Sequence, residues 1–346
     1  MRAAIFYEPG DLRVEDIDEP TAGPGELKLR MHATATCGTD AKIFNHGHPR
    51  LDPPQVIGHE LAGEVVEVGD GATGFAIGDR VQVIAAVPCG QCWACEAGIA
   101  QVCPNQTSMG YQYPGGFAEF MIVPELVVRV GGVNKIPAGL SYAEASVTEP
   151  LACALNAQEL ARVGDGDTVV VMGAGPIGCL HVRLARSRGA AKVFLTDINL
   201  DRLKMSADRV DPDAALETTG QDLIDQVKEL TDGRGPTVVI TAAPSGKAQE
   251  DAIAMAAPQG RISFFGGLPK DDPYIRCDSN AVHYRELSLI GANGSSPDHN
   301  RRALDLIASG AVPVADLITH RVPLDQVHDA IQAVISGDAI KVVVEP

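Results

Sequence analysis

The feature that most constrains the fold is a glycine-rich turn between an apolar run and a helical pattern. The run 168–172 (TVVVM) is continuous and largely β-branched, as in a strand buried on both faces. Gly173, Gly175 and Gly178 follow it as GxGxxG, and a helical pattern covers 179–188. This order of strand, tight turn and helix predicts the first βαβ unit of a doubly wound sheet that binds a dinucleotide.

An acidic residue supports this interpretation against the alternative of a plain tight turn. Asp197 follows the apolar run 192–196 and lies 19 residues after Gly178. A carboxylate there accepts hydrogen bonds from ribose hydroxyls and repels a 2′-phosphate, which favours NAD over NADP. Arg202 would either cover the adenine or pair with Asp197. The expected cofactor-binding residues are Gly173, Gly175, Pro176, Ile177, Gly178, Asp197, Ile198 and Arg202.

The residue pattern differs on the two sides of residue 150. Before it, short apolar runs such as 27–31 and 63–68 lie between glycines and prolines, which predicts a β-rich domain. After it, a helix over 151–163 precedes alternating strands and helices, which predicts a parallel sheet and an α/β fold class. The end of the chain adds two helical patterns and a strand, at 298–309, 324–336 and 340–344.

Charge and hydropathy exclude several classes of function. The chain carries 28 Lys and Arg against 45 Asp and Glu, a net charge of −17, which argues against a nucleic-acid partner. No apolar run reaches the roughly 18 residues of a membrane span, so no membrane partner is expected. Glu8 and Asp11 interrupt the N-terminus before a signal peptide could form, which predicts a cytoplasmic protein. In that reducing compartment, cysteines are metal ligands or buried small side chains rather than disulfides.

Four of the eight cysteines form a compact cluster with the spacing C-x2-C-x2-C-x7-C. Cys89, Cys92, Cys95 and Cys103 fall within fifteen residues, among polar neighbours that do not resemble a core. Four thiolates suit a tetrahedral zinc ion with no open position, which is a structural site. An iron–sulfur cluster or a pair of disulfides are the alternatives.

Three further segments carry one possible zinc ligand each. They contain Cys37, His59 and Glu149, which lie far apart in the sequence. Together they would leave one coordination position open, as in a catalytic zinc site. Taken singly, a cysteine or a histidine of this kind is more often an ordinary core residue.

The order and spacing of these segments is similar to that of the zinc-dependent medium-chain alcohol dehydrogenases, over essentially the whole chain. The resemblance implies a GroES-like, β-rich catalytic domain formed by residues 1–150 and 294–346, and a Rossmann NAD-binding domain formed by 151–293. It also implies NAD and two zinc ions, one catalytic and one structural. The matching segments are CGTD at 37–40, GHELAGEVVEVG at 58–69, FAIGDRV at 75–81, the four-cysteine segment, GGFAEF at 115–120, EPLAC at 149–153 and GAGPIG at 173–178.

The resemblance also implies roles for individual residues. Cys37 and His59 would bind the catalytic zinc, and Glu60 and Glu149 would be the carboxylates around it, directly or through a water. Thr39 would pass on the substrate hydroxyl proton, and Asp40 would orient His59. The sequence departs from the family pattern three residues after Thr39, where the usual histidine is Lys42. The proton exit path is therefore left open, because His46 and His48 lie close in the sequence and are either substitutes for that histidine or solvated loop histidines.

The activity implied is hydride transfer from a secondary alcohol to NAD, which gives a ketone. Glu149 in the EP motif resembles sorbitol and other polyol dehydrogenases, because simple alcohol dehydrogenases usually have a cysteine there. A diol, threonine or a sugar-alcohol phosphate are alternative substrates, and a zinc-stabilised binding protein without turnover is the alternative outside enzymes. The family also implies a homodimer or homotetramer, and the apolar run 287–291 is the expected edge strand.

Overall fold

The computed structural model describes residues 1–346 and divides them into two compact units. Unit 1 comprises Met1–Ala152 and Gly294–Pro346, and unit 2 comprises Cys153–Asn293. The boundaries expected from the resemblance, after residues 150 and 293, lie within two residues of these.

The strands and helices are numbered in chain order. The strands are Arg2–Glu8 (β1), Asp11–Asp16 (β2), Leu27–Ala35 (β3), Gln55–Val56 (β4), Glu60–Val68 (β5), Arg80–Val83 (β6), Ala86–Val87 (β7), Thr107–Ser108 (β8), Phe120–Val123 (β9), Val133–Lys135 (β10), Thr168–Met172 (β11), Lys192–Thr196 (β12), Ala214–Leu216 (β13), Val238–Thr241 (β14), Arg261–Phe264 (β15), Ser288–Gly291 (β16), Ile318–Pro323 (β17) and Lys341–Glu345 (β18). The α-helices are Gly38–His46 (α1), Trp93–Glu96 (α2), Glu125–Arg129 (α3), Tyr142–Ser146 (α4), Thr148–Leu160 (α5), Pro176–Ser187 (α6), Leu200–Val210 (α7), Gly220–Glu229 (α8), Gly246–Met255 (α9), Ser279–Tyr284 (α10), Pro297–Ala308 (α11) and Val327–Ser336 (α12). Single 3₁₀ turns lie at Ala100–Val102, Ala315–Leu317 and Leu324–Gln326.

Unit 1 is built on a seven-stranded sheet in which β3 is the central strand. One edge of β3 pairs with β5, and its other edge pairs first with β9 and then with β18. The pairs Val343–Ala35 and Val344–Thr34 join the last strand of the chain to one of the first. The C-terminal segment is therefore part of the β-rich unit, because its strand completes that sheet.

Helix α1 begins directly after β3, although the sequence pattern did not predict it. The backbone N–H of Cys37 donates to Asp40 Oδ2 at 2.9 Å, so the aspartate stabilises the first turn. Asp40 is fully buried. This contact fixes the backbone of Cys37 at the start of α1.

Unit 2 is a six-stranded, fully parallel sheet in the order β13-β12-β11-β14-β15-β16. Numbered within the unit, this is the order 3-2-1-4-5-6 of the dinucleotide-binding fold, which confirms the predicted doubly wound sheet. Strand β13 was not predicted, because it has only three residues and none of them is fully buried. Helix α6 begins three residues earlier than expected, since proline is well suited to the first turn of a helix. Strand β16 lies at the edge of the sheet.

A histidine is among the polar side chains that are fully buried in the core of unit 2. His181, in α6, is fully buried, and its ring packs edge-on against Phe265 with 4.9 Å between ring centroids. Its Nε2 has no hydrogen-bond partner, while Gln158 donates to its backbone oxygen at 2.8 Å. Burial lowers the pKa of His181 to about 3, so the ring is neutral in the folded protein.

Among all helices of the chain, none is both long and apolar enough to cross a membrane.

Candidate functional site

Unit 1 brings together three of the ligands implied by the sequence. Cys37 lies between β3 and α1, and His59 and Glu60 lie at the start of β5, the partner of β3. One ligand atom from each of these three side chains lies within 4.8 Å of the other two. His59 and Glu60 are buried and Cys37 is half-buried. A thiolate, an imidazole and a carboxylate are a donor set that zinc prefers, so these residues fit a zinc ion.

The imidazole of His59 is oriented from behind by Asp40. Its Nδ1 lies 3.3 Å from Asp40 Oδ1, and the other carboxylate oxygen accepts the Cys37 N–H described above. Burial opposes a charge on His59, but Asp40 outweighs it and raises the pKa of His59 well above its usual value. Because Nδ1 faces Asp40, Nε2 is the nitrogen left for a metal.

Glu60 has a buried partner that the sequence analysis did not identify. Lys341 Nζ, in β18, lies 2.9 and 2.7 Å from the two oxygens of Glu60, and it also donates to the backbone oxygen of Thr36 at 2.8 Å. The two side chains are 281 residues apart in the sequence and almost fully buried. Burial raises the pKa of Glu60 to about 7, although Lys341 opposes this rise.

Glu149 lies in the first turn of α5, outside the group of three ligand atoms. Its negative charge adds to the rise in the pKa of Glu60, so the two carboxyl groups are electrostatic neighbours. The turn of α5 tolerates Pro150 because a proline in the first turn of a helix removes no hydrogen bond. That these two carboxylates would surround a metal ion, directly or through a water, stays a prediction.

The polar residues around the cluster differ in exposure. Thr39 is half-buried in the first turn of α1, whereas Lys42 and His46 are exposed. His48 packs edge-on against the ring of Tyr111, with 4.7 Å between centroids. Tyr111 was missed in the sequence analysis, and its ring centroid lies 6.1 Å from that of His59.

The four cysteines form a second, separate cluster in unit 1. The Sγ atom of Cys92 lies 3.5 Å from that of Cys95 and 3.6 Å from that of Cys103, and one ligand atom of each of the four is within 4.8 Å of the rest. None of the four forms a disulfide. A tetrahedral zinc ion with bonds of about 2.3 Å would separate its sulfurs by roughly 3.8 Å, so the cluster fits zinc.

The glycine-rich turn of unit 2 has the geometry that the motif predicts. Gly173 has φ +116°, a conformation that favours glycine, and a Cβ on Gly178 would lie 1.9 Å from the oxygen of Gly173. A Cβ on Gly175 would meet nothing within 4 Å, which leaves space above the turn. Pro176 and Ile177 open α6, whose free N–H groups suit a pyrophosphate.

Asp197 is engaged by Arg202 beside this turn. Arg202 donates to both carboxylate oxygens, at 2.9 and 2.7 Å, and the backbone N–H groups of Ala174 and Asn199 donate to the same oxygens. Burial opposes ionisation, but these donors lower the pKa of Asp197. The pair lines a cavity of about 250 Å³, where Ile198 is also exposed. Of the two roles expected for Arg202, pairing with Asp197 is the one observed.

Comparisons with known proteins agree with this arrangement. Residues 23–132 match the Alcohol dehydrogenase GroES-like domain, and residues 176–309 match the Zinc-binding dehydrogenase family. The sorbitol dehydrogenase of Halalkalibacterium halodurans is 33% identical over 97% of this chain and 96% of its own. The L-threonine 3-dehydrogenase of Pyrococcus horikoshii is 32% identical over 99% of this chain and 98% of its own.

A solved structure extends the likeness to the whole fold. The zinc-binding dehydrogenase of Sinorhizobium meliloti bound to NADP superposes with a TM-score of 0.92 at 30% identity, over 100% of this chain and 99% of that one. The chain therefore belongs to the zinc-dependent medium-chain alcohol dehydrogenase family. It is an oxidoreductase of that class, which uses zinc and a nicotinamide cofactor.

Proposed function

We propose that the protein oxidises a secondary alcohol, a polyol or sugar alcohol, to a ketone with NAD. The observation that carries this proposal is the buried group of Cys37, His59 and Glu60, which lies in a chain of the dehydrogenase family. We further propose two zinc ions per chain, a catalytic one at this group and a structural one at the four cysteines. The first group offers three protein ligands, which suits an open site, and the second offers four, which suits a closed one.

Each residue of the candidate site has its own role in the proposed reaction. Zinc supplies a Lewis acid that lowers the pKa of the substrate hydroxyl, and NAD supplies the hydride acceptor. Cys37 and His59 would hold the metal, Asp40 would fix the imidazole, and the Thr39 hydroxyl would relay the substrate proton by accepting it and passing its own proton outward. Glu60 is the third candidate ligand, and the ammonium group of Lys341 balances the charge of its carboxylate.

The substrate class rests on Glu149 and on the two relatives. Sorbitol and threonine, which the names of those relatives give as substrates, both carry a second polar group next to the carbinol. A diol, an amino alcohol such as threonine, or a sugar-alcohol phosphate are the alternatives within the same chemistry.

The preference for NAD rests on Asp197. A 2′-phosphate would lie beside this carboxylate with like charge, and the Arg202 guanidinium, the cation that could offset the repulsion, is already paired with Asp197. The uncharged ribose hydroxyls of NAD can instead form hydrogen bonds with Asp197 and Arg202. We therefore expect Asp197→Ser to lower the ratio of kcat/KM with NAD to kcat/KM with NADP by about 10-fold or more. The reason is that a charge-assisted hydrogen bond contributes about 1.5–3 kcal/mol.

The test is NADH and NADPH formation across polyols, diols, amino alcohols and monohydric secondary alcohols, with zinc counted on the same preparation. Turnover of secondary alcohols with NAD and two zinc ions per chain is the expected result. A zinc-loaded protein that oxidises none of them would refute the proposal. Equal efficiency with NADP and NAD would refute the role of Asp197.

We also propose a homodimer or homotetramer. The edge strand β16 leaves one row of backbone groups without a partner in the sheet, which favours pairing with a second copy. A sedimentation mass of one chain at micromolar concentration would contradict this.

A further inference from the structure

Tyr111 is a side chain beside the candidate zinc site whose hydroxyl is not used by the fold. The residue is only 9% exposed, and its ring packs in the same apolar cluster as Ile57 and Phe117. Its ring contacts that of His59, with 6.1 Å between centroids. The hydroxyl forms no hydrogen bond with a protein group. A tyrosine placed only for packing would be served equally well by phenylalanine.

The ring of Tyr111 is held from several sides. His48 packs against it edge-on, and the guanidinium of Arg50 lies 5.6 Å from its centroid. Gln55 donates to the backbone oxygen of Tyr111 at 2.9 Å. His48 is fixed in turn by the backbone N–H of Arg50, which lies 3.2 Å from its Nδ1. The phenol is therefore a preorganised group that loses little freedom when it binds a ligand.

The hydroxyl is suited to act as a hydrogen-bond donor. A tyrosine phenol carries its proton at neutral pH, so the O–H group is available to donate a hydrogen bond. The substrate oxygen that reacts would bind at the metal site, next to the hydroxyl of Thr39. The charges of His59 and Cys37 act on the Tyr111 hydroxyl, so this donor lies beside the group that would bind the reacting oxygen.

We propose that the Tyr111 hydroxyl donates a hydrogen bond to a second hydroxyl next to the carbinol that is oxidised, and so selects vicinal diols and polyols. This inference rests on the proposed function and narrows it. Tyr111 acts here as a specificity-determining residue that contacts the substrate. It takes no part in the transfer of the hydride or of the carbinol proton.

The experiment compares Tyr111→Phe with the parent on a matched pair of substrates. The pair is 2,3-butanediol and 2-butanol, which differ only in the second hydroxyl. For the diol we expect kcat/KM to fall about 10- to 100-fold, because its second hydroxyl loses its donor. For 2-butanol we expect a change of less than about twofold, since it offers no such hydroxyl.

A control variant is available two residues away. Tyr113→Phe removes a hydroxyl from a ring that packs on a different core cluster of unit 1, and it should leave kcat/KM for both substrates unchanged. Zinc content and NAD affinity of Tyr111→Phe should equal those of the parent. Equal losses on both alcohols would overturn the proposal, and so would no loss on the diol or a parent that prefers 2-butanol. A parent that oxidises no alcohol would instead refute the proposed function, and this inference with it.

Discussion

The two cysteine-containing sites of unit 1 are built in opposite ways. The four-cysteine cluster comes from one stretch of fifteen residues, around the short helix α2, and three of its cysteines are half-buried. The other site joins Cys37, His59, Glu60 and Lys341, which come from β3, β5 and β18 and their ends. The first needs only its own loop and a metal. The second site exists only after the sheet has formed. We therefore expect substitutions in the two sites to have different effects on activity and on stability.

The largest expected effect is on turnover, from Cys37→Ala. Losing this ligand removes the Lewis acid, which contributes several kcal/mol, so activity should fall by more than about a thousandfold. NAD binding to unit 2 should remain, and zinc should fall from two ions per chain to one. NADH formation, calorimetric NAD titration and metal analysis check this, and a fully active Cys37→Ala protein would show that the site is not catalytic.

The next largest effect is on stability, from Cys92→Ala. A closed four-thiolate site contributes folding free energy, so the midpoint of thermal unfolding should fall by about 10 °C or more. At a temperature where the variant is still folded, kcat should stay near that of the parent. Differential scanning calorimetry and steady-state kinetics test this pair of outcomes. A stable but inactive variant would reverse the roles of the two sites.

Lys341→Met tests whether the buried pair supports the second site. It leaves Glu60 as a buried carboxyl without its cation, and breaking such a pair costs about 3–5 kcal/mol. The loss should be larger at pH 8 than at pH 6, because protonation of Glu60 relieves the unpaired charge. Urea unfolding at both pH values measures it. Lys341→Arg, which keeps a cation, should recover most of the loss, and the pairing is refuted if Met and Arg variants are equally stable.

The smallest expected effect on the two sites comes from Asp40→Asn. An amide still fills the space but orients and polarises His59 less, so zinc affinity should fall by about 10- to 100-fold at the first site only. Competition with a chromogenic chelator would resolve the two ions by their affinities. Weakening of both ions alike would show that Asp40 acts on the fold rather than on His59.

The comparison also explains what could be predicted from the sequence. The four cysteines and the GxGxxG turn are local patterns, so spacing alone indicated their geometry. Cys37 is distant in the sequence from the neighbouring residues His59 and Glu60, and it could be connected with them only through the family resemblance. In physical terms, their proximity depends on the pairing of β3 with β5, which no short window of sequence contains.

Lys341 and Tyr111 were missed for related reasons. Lys341 opens a terminal strand, where a lysine is normally solvated, and its partner is 281 residues away. The one available signal was a charged residue directly before the apolar run of β18. Tyr111 lies in a loop outside any periodic pattern, so nothing in its neighbours indicated burial. Asp197 was identified, but its pairing with Arg202 depends on side-chain conformation.

The sealed imidazole of unit 2 makes the protein sensitive to acid. His181 has a pKa of about 3 when folded, whereas an exposed histidine takes up a proton near pH 6.5. Between these values the unfolded chain binds the extra proton, so the free energy of unfolding falls as the pH falls. This single residue should remove about 2 kcal/mol by pH 5. A neutral replacement, His181→Leu, should remove this part of the pH dependence of unfolding between pH 6.5 and 4, so one interior side chain of this dehydrogenase sets part of its acid tolerance.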